Sequence, residues 1–331
     1  MSRTQFQHLI RLVFGLGLLG CIVHQIEFSQ LIALARAGKP LYLALGAGLL
    51  VIGMLGLQWT RLHVLIRSYT RSWRISLEIF YVGALFNNFL PSNLGGDAMR
   101  LMYLRNLGAD NLGTPFALLL AYRASSFVVL LAGGLAYMLI EHARLFALLG
   151  VGRFAVNLDG SKLGYALALL GVGLVAAAWL GRYASMRMQQ RVLDFWCGCR
   201  DALTLLRPRV VASLMAQTLL FHLCRLLSFY FLVGYAGQHI VLWDLVFVLW
   251  ISALANMLPV SVAGFGVVEA TITGLLALYG VDITCAGAVA LVNRAVMLLA
   301  AAIGAVIYMR GAVAQPRSNA IALKPAAKFN T

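Results

Sequence analysis

The chain has 331 residues, of which 62% are hydrophobic and only 11% are charged. Soluble domains usually carry charge on about a quarter of their residues, so this composition excludes an ordinary soluble protein. The formal net charge is +15, but the basic residues lie between long apolar runs, and no nucleic-acid-binding motif accompanies them. This distribution is typical of the loops of a membrane protein and argues against a nucleic acid as partner.

Two kinds of apolar segment follow one another along the chain. Continuous runs lie at about 9–26, 40–58, 116–140, 163–181, 210–234 and 285–308. Each approaches the roughly 20 residues that a helix needs to cross the hydrocarbon core. Two other segments, at about 75–106 and 243–279, are apolar but interrupted by Pro and Gly. The pattern predicts an all-α, polytopic transmembrane helical bundle with about six full spans and two broken or re-entrant hairpins, or about eight spans if the breaks are kinks.

The Lys and Arg residues indicate how these segments are oriented. Most of them fall on one side when both termini are placed in the cytosol, as the positive-inside rule requires. On this assignment the Arg-rich stretch 59–74 is a cytosolic loop. The stretch 182–209 is interpreted as a second basic cytosolic loop, with an amphipathic helix at the membrane interface as the alternative. We expect residues 1–313 to form the transmembrane domain and residues 314–331 to form a disordered basic tail.

A short internal repeat divides the transmembrane domain into two halves. Asn88-Phe89-Leu90-Pro91 in the first break matches Asn256-Met257-Leu258-Pro259 in the second. Glycines and then an acid follow each motif, and an arginine within an apolar run comes later in each half. The halves cover about 40–140 and 210–308. Because the first break would enter from the cytosol and the second from outside, we predict an inverted repeat, a plan that many transporters share.

Charged side chains within the apolar runs are the strongest candidates for function. A charge at the centre of a spanning helix costs about 2.5–3.5 kcal/mol on insertion scales, so it needs a partner or a wet cavity. Two interpretations stay open. In one, Arg123 and Arg294 pair with Asp97 and Glu269 and lock each hairpin to the next helix, with each acid also capping a helix start. In the other, the guanidinium groups bind a phosphate oxygen and the carboxylates face a cavity.

Further polar groups lie in and beside the breaks. Unwound backbone and helix N-termini at these positions would present N–H groups, which suit an anion. Arg225 lies one turn after His222, and we interpret His222 as part of a satisfied buried pair. The complete set of candidate substrate-binding or translocation residues is Asn88, Pro91, Ser92, Gly95, Gly96, Asp97, Arg100, Arg123, Arg225, Asn256, Pro259, Ser261, Gly264, Gly266, Glu269 and Arg294.

Several kinds of chemistry have no motif in the sequence. The chain contains no ATPase phosphate-binding loop, no metalloprotease helix and no serine hydrolase elbow. Its histidines lack the spacing of metal ligands. We therefore expect no cofactor, no metal and no catalytic residue, and we expect that the protein is not an enzyme.

The sequence around the two breaks resembles a known family. The segment Asn87–Arg100 is similar to the first signature of the lysylphosphatidylglycerol synthase transmembrane-region family, also called flippase-like domain proteins, and Leu258–Glu269 is similar to the second. The resemblance covers about residues 8–310. By motif match it implies roles for Asn88, Pro91, Gly95, Gly96, Asp97 and Arg100 in the first signature, and for Pro259, Ser261, Gly264, Gly266 and Glu269 in the second.

The resemblance also implies a location and an activity. Members are integral proteins of the bacterial inner membrane, and in the multidomain relatives this region translocates aminoacylated phosphatidylglycerol made by an attached soluble synthetase domain. The present sequence is similar to stand-alone members without that domain, which are linked to movement of phospholipids, hopanoid-type lipids or lipid-linked sugars. Many relatives have Arg where this chain has Val268. This departure puts in doubt a mechanism that needs an adjacent Arg–Glu pair.

These observations lead to one functional expectation and two alternatives. We expect an ATP-independent lipid translocase that moves an anionic phospholipid or a prenyl-phosphate-linked molecule across the cytoplasmic membrane. The first alternative is an intramembrane lipid-modifying enzyme that uses Asp97 or Glu269 as a base. The second is a non-transporting accessory subunit that docks a partner synthase through residues 182–209.

Overall fold

The computed structural model describes residues 38–89, 95–109, 111–148, 186–257 and 264–310. Within these ranges the protein is all-helical and contains no strand. Four expectations from the sequence lie outside the described residues: the apolar runs at 9–26 and 163–181, the centres of the two breaks, and the tail at 314–331.

Nine helices form the described part of the chain. They are α1 (Pro40–Ile66), α2 (Trp73–Phe89), α3 (Gly95–Asn106), α4 (Gly113–Leu148), α5 (Met186–Leu205), α6 (Pro208–Tyr235), α7 (Leu242–Met257), α8 (Val267–Leu278) and α9 (Ile283–Met309). Four of them are long and apolar enough to cross a membrane, namely Pro40–Ile66, Gly113–Glu141, Pro208–Tyr235 and Ile283–Met309. Each contains one of the predicted continuous runs, so the prediction of a polytopic helical bundle is confirmed.

The boundaries of these helices follow from local chemistry. Pro40 and Pro208 occupy the first turns of α1 and α6, where a missing N–H costs nothing and the fixed φ suits a helix. The carboxylate of Asp282 caps α9 by accepting hydrogen bonds from the N–H groups of Thr284 at 2.8 Å and Cys285 at 3.2 Å. The long spans therefore have starts that the sequence encodes.

Helix α1 contains a π-helical stretch at Ile52–Leu57 and then continues to Ile66. The hydropathy pattern ends this span near residue 58 and predicts Arg61 in a cytosolic loop. That assignment of Arg61 is wrong, because the helix continues and buries the residue. Small residues let α1 pack closely on α6, where the Ser228 hydroxyl donates a hydrogen bond of 2.7 Å to the Gly46 carbonyl oxygen.

In both broken segments the helices on either side of the break pack against each other. In the first, the Gly96 N–H donates a hydrogen bond of 2.9 Å to the Asn87 side-chain oxygen. Nine residues of continuous helix would separate these groups by about 14 Å, so the chain must reverse between them. In the second, Tyr137 of α4 contacts both Asp244 of α7 and Tyr279, the residue just after α8, through its hydroxyl, each at 2.9 Å. Since 244 and 279 lie at opposite ends of the second segment, that segment also folds back.

The two halves share an element order. Each consists of a hairpin whose second arm has 12 residues, followed by a long spanning helix, so α2–α3–α4 corresponds to α7–α8–α9. Twelve helical residues extend about 18 Å, less than the roughly 30 Å of the hydrocarbon core. An acid occupies the third position of each short helix, Asp97 and Glu269. These features are consistent with a repeat, and both the repeat and its inverted sense stay predictions.

Helix α5 corrects the interpretation of 182–209 as a loop. Residues Met186–Leu205 form one helix, because apolar and basic side chains recur there at helical spacing. Its inner face packs on the start of α4, where the Thr114 hydroxyl donates to the Gly198 carbonyl oxygen at 3.0 Å. Its outer face leaves Leu193, Trp196 and Leu203 exposed. The alternative prediction, an amphipathic helix at the membrane interface, is thus correct in being a helix. Its location at the interface stays a prediction.

Candidate functional site

A cavity of about 310 Å³ lies between the hairpins and the long helices. Its position within the bundle can be read from the spans that line it. Met54, Phe127, His222 and Met297 all face the cavity, and each lies close to the midpoint of its own spanning helix. The cavity therefore occupies the middle of the bundle, and residues of both broken segments contribute to its lining.

The cavity lining is rich in positive charge. Four arginines from four different helices, Arg61, Arg100, Arg123 and Arg225, contribute to it. Among the described residues the lining contains no Asp or Glu. Uncharged polar groups, including Asn87, Asn88, Ser126, Ser252, Asn256 and Asn293, complete the polar surface.

Asp97 does not line the cavity itself, but it pairs with two of these arginines. Its carboxylate accepts a hydrogen bond of 2.9 Å from Arg100 Nη1 and forms an ion pair with Arg123 Nε. Asp97 lies in the first turn of α3, where a negative charge also complements the helix dipole. The pair to Arg123 ties the first hairpin to α4, as one sequence interpretation predicted. It also orients both guanidinium groups along the cavity wall.

Arg61 is held by a different kind of partner. The side chain is almost completely buried, and Nη2 donates to the Ser126 hydroxyl at 2.7 Å, the Ser125 hydroxyl at 3.0 Å and the Tyr122 carbonyl oxygen at 3.1 Å. The guanidinium carbon lies 4.7 Å from the centre of the Tyr122 ring, a favourable cation–π geometry. No carboxylate within the described ranges pairs with Arg61. Its Nε remains without a hydrogen-bond partner there.

Arg225 and His222 lie together on α6. The guanidinium of Arg225 stacks over the Phe229 ring at 5.8 Å, and its Nε has no hydrogen-bond partner among the described residues. His222 is 9% exposed. Within the same part of the chain, neither of its ring nitrogens is hydrogen-bonded. The interpretation of His222 as a satisfied buried pair is therefore wrong, because proximity along the helix placed a cation, not an acceptor, beside it.

Two asparagines add uncharged groups to the wall. Asn293 is fully buried, and neither its side-chain oxygen nor its nitrogen has a partner in the described ranges. Asn88 uses its amide nitrogen to donate to the Ala84 carbonyl oxygen at 2.9 Å, which leaves its buried oxygen unbonded there. Buried amides usually find partners. These open positions therefore point to a polar occupant of the cavity.

The second acid–base pair does not face the cavity. Glu269 is 0% exposed and Arg294 is 3% exposed, and neither lines the cavity wall. The two side chains pair with each other. Glu269 Oε2 also accepts from the Gly266 N–H at 2.7 Å, and Arg294 Nη2 donates to the Gly264 carbonyl oxygen at 3.1 Å. This geometry fits the interpretation in which the acid caps a helix and locks the second hairpin to α9.

The two motifs require glycine for different structural reasons. Gly264 and Gly266 have φ angles of +72° and +76°, a region that side chains other than Gly rarely adopt. Gly96 lies so close to the Gly83 carbonyl oxygen and to Asn87 that a methyl group would collide with both. Gly95, which precedes it, is buried. Pro91, Ser92, Pro259 and Ser261 lie outside the described residues.

The structure therefore divides the candidate residues. Asn88, Arg100, Arg123, Arg225 and Asn256 line the cavity, whereas Gly95, Gly96, Asp97, Gly264, Gly266, Glu269 and Arg294 surround or support it. Two further lining residues, Arg61 and Asn293, are not among the residues predicted from the sequence. Arg61 could have been found by continuing the helical period beyond residue 58. Asn293 could have been found because it precedes the conspicuous Arg294 in an apolar run.

The fold and the site define a multi-pass helical membrane protein with an arginine-lined cavity at its centre. The model of the lysylphosphatidylglycerol synthase TM region matches residues 8–304, so the chain belongs to this family. A comparison with curated proteins found no significant match.

Proposed function

We propose that the protein is an ATP-independent lipid translocase, similar to a flippase or scramblase, that moves an anionic phospholipid or lipid-linked molecule across the cytoplasmic membrane. One observation carries the proposal: four arginines and, within the described residues, no acid line a cavity at the middle of the spanning helices. Membership of the family is consistent with this activity.

The buried arginines carry a free-energy cost that an anionic ligand would reduce. A cation held at this depth is expensive unless a counter-charge accompanies it. Arg61 and Arg225 form no ion pair with any described residue, so an anion that enters the cavity would relieve this cost. A guanidinium group is well suited to bind phosphate oxygens in a bidentate manner. The headgroup of an anionic lipid supplies such oxygens.

The size of the cavity favours a headgroup rather than a whole lipid. A volume of about 310 Å³ is at the lower end of the range for small-molecule sites. The acyl chains would remain among the exposed apolar side chains of the long helices, such as Leu120 and Leu220. A headgroup path through the bundle combined with chains in lipid is the arrangement that translocation without ATP requires.

The proposal includes a topology. Both termini lie in the cytosol of a bacterial cell, the α2–α3 hairpin enters from the cytosol, and the α7–α8 hairpin enters from outside. The two hairpins would then meet at the cavity from opposite sides, as in transporters built from inverted repeats. A partner synthase could supply the lipid, and α5 would be its docking element on the cytosolic side.

The test is a lipid-flip assay with purified protein in liposomes. Vesicles contain phosphatidic acid or phosphatidylglycerol labelled on an acyl chain, and dithionite added outside quenches the label of the outer leaflet. We expect the wild-type protein to expose the inner label to quenching for at least one of the two lipids. We expect Arg225→Gln to slow this process, because that guanidinium has no ion-pair partner in the described ranges and is available to the substrate.

Arg209→Gln is the matched control, since Arg209 is an exposed arginine on the same helix. It should behave like wild type. Protection of the inner label by all three proteins would contradict translocation of these lipids. Chemical conversion of the labelled lipid, detected by thin-layer chromatography of the same vesicles, would favour the enzyme alternative instead.

A further inference from the structure

The four arginines of the cavity fall into two groups with different surroundings. Arg100 and Arg123 both pair with Asp97, so one acid offsets part of their charge. Arg61 and Arg225 have no acid within ion-pair distance among the described residues. Two positive charges on one side of the cavity are therefore left without compensation from the described protein.

These two cations face one part of the cavity. The Arg61 guanidinium lies 5.5 Å from the centre of the Phe221 ring, and Arg225 lies one turn after Phe221 on the same face of α6. His222 lies between them in sequence and also lines the cavity. Arg61, His222 and Arg225 thus form one cationic subsite between α1 and α6.

The subsite contains hydrogen-bonding groups that the described protein leaves unused. They are Nε of Arg61, Nε of Arg225 and both ring nitrogens of His222. The His222 side chain is more than nine-tenths buried. At least three of these four atoms are donors, because each arginine Nε carries a hydrogen and a neutral imidazole carries one N–H. An unpaired buried donor is unfavourable, so this cluster indicates an occupant that accepts several hydrogen bonds. The terminal oxygens of a phosphate group accept in this way.

We propose that the cationic subsite selects lipids whose headgroup carries two negative charges, a phosphomonoester or a diphosphate, over lipids with a singly charged phosphodiester. This inference rests on the proposed function and names the substrate class of the same site. A diester would compensate only one of the two arginines and would leave the other buried charge without a counter-charge. A phosphomonoester carries a charge of about −1.5 to −2 at pH 7 and has three terminal oxygens, so it can satisfy both.

Equilibrium binding tests this selectivity without requiring transport. The probes are short-chain phosphatidic acid, phosphatidylglycerol and phosphatidylcholine, titrated calorimetrically into the full-length protein in uncharged detergent. We expect phosphatidic acid to bind at least about tenfold more tightly than phosphatidylglycerol, which corresponds to about 1.4 kcal/mol. Phosphatidylcholine should bind most weakly. Farnesyl diphosphate, added as a further probe, separates the two sources of double charge, since it binds well only if the site accepts a diphosphate.

Variants of Arg225 distinguish the effect of its positive charge from an effect on the fold. Arg225→Gln should reduce the preference for phosphatidic acid over phosphatidylglycerol to within about twofold, because one uncompensated charge remains. Arg225→Lys keeps the charge and should retain most of the preference. Arg209→Gln, on the exposed part of the same helix, should retain all of it. Loss of the preference in Arg225→Lys as well as in Arg225→Gln, with the thermal unfolding midpoint of both variants unchanged, would overturn the charge argument.

The outcomes for selectivity and for transport are distinguishable. Equal binding of phosphatidic acid and phosphatidylglycerol to the wild-type protein overturns the inference, even if both lipids are transported. A clear preference for phosphatidic acid together with no transport of any lipid supports the subsite and contradicts the proposed function. A preference that appears in both binding and flip rate supports both.

Discussion

At the residue scale, the two acid–base pairs each join a carboxylate to an arginine, but they differ in how far they are exposed. Arg123 is partly open to the cavity, with 38% of its side chain exposed, whereas Arg294 is 4% exposed by the same measure. The Asp97–Arg123 pair can therefore exchange its partner for an incoming anion. The Glu269–Arg294 pair is enclosed by backbone groups of Gly264 and Gly266, and it acts as a fixed connection between α8 and α9.

The first prediction concerns this fixed pair. Glu269→Gln leaves Arg294 buried without its counter-charge, and breaking a buried pair in this way costs about 3–5 kcal/mol. We expect a clear fall in the thermal unfolding midpoint of the purified protein. The double variant Glu269→Gln, Arg294→Met removes both charges and should recover part of the stability. A variant Glu269→Gln with unchanged stability but no lipid transport would show that Glu269 acts in transport rather than in folding.

The second prediction concerns the positive φ of Gly264. Gly264→Ala places a methyl group in a left-handed conformation, which costs about 1–2 kcal/mol, and directs it against the Asn256 side chain. The variant should unfold at a lower temperature. Gly274→Ala is the matched control, because a methyl group at Gly274 meets nothing within 4 Å and Ala favours a helix interior by about 1 kcal/mol. Equal loss of stability in both variants would contradict the account of Gly264.

At the scale of elements, the hairpins and α5 determine the shape of the site. The α2–α3 hairpin brings Asn88 and Arg100 to the same cavity, although a continuous helix would place them about 18 Å apart. Helix α5 packs along the start of α4 through Phe195, whose ring centre lies 5.3 Å from that of Phe116. Helix α5 therefore contacts α4, the helix that contains Arg123.

The third prediction tests the packing of α5. In a background where the native cysteines are replaced by Ser, Phe116→Cys combined with Phe195→Cys should be linked by a short bifunctional thiol reagent. Phe116→Cys combined with Trp196→Cys should be linked much less, because Trp196 is 65% exposed and points away from the contact. Efficient linking of both pairs would mean that α5 does not hold a fixed position on α4. Linking is measured by gel electrophoresis after the chain is cleaved between α4 and α5. Linked fragments migrate together, and unlinked fragments migrate separately.

The sequence predicted these elements unevenly. Hydropathy located the four described spans, and the Pro and Gly residues located both breaks, because each signal is local to the chain. The extension of α1 to Ile66 was not predicted, since Arg61 resembled a loop residue until the structure supplied buried partners on α4. His222 was assigned wrongly for the same reason. Whether a polar side chain is satisfied depends on distant helices that the sequence alone does not place.

At the scale of the whole molecule, the orientation of the two halves decides from which side of the membrane each hairpin enters. The shared order of hairpin and long helix fits a repeat, and the basic residues favour the inverted sense. In that orientation the loop between α6 and α7 faces the outside, and the loop between α1 and α2 faces the cytosol. The cavity then lies between two hairpins of opposite direction.

The fourth prediction tests this orientation in cells. In the cysteine-free background, His239→Cys should react with a membrane-impermeant maleimide in cells whose cytoplasmic membrane is intact and whose outer membrane is permeabilised. Arg71→Cys should react only after the cytoplasmic membrane is also opened. Both positions are exposed, so a lack of reaction reflects the side of the membrane. Reaction of both before the second step would contradict the inverted arrangement.

The most direct test of the central claim is the rate at which wild-type protein exposes acyl-labelled phosphatidic acid to quenching in liposomes, compared with Arg225→Gln. We expect rapid loss of the protected label with wild type and with Arg209→Gln, and a much slower loss with Arg225→Gln. Equal rates for wild type and Arg225→Gln would contradict a passage through the arginine-lined cavity. Full protection with the wild-type protein, for this lipid and for phosphatidylglycerol, would contradict translocation of anionic phospholipids.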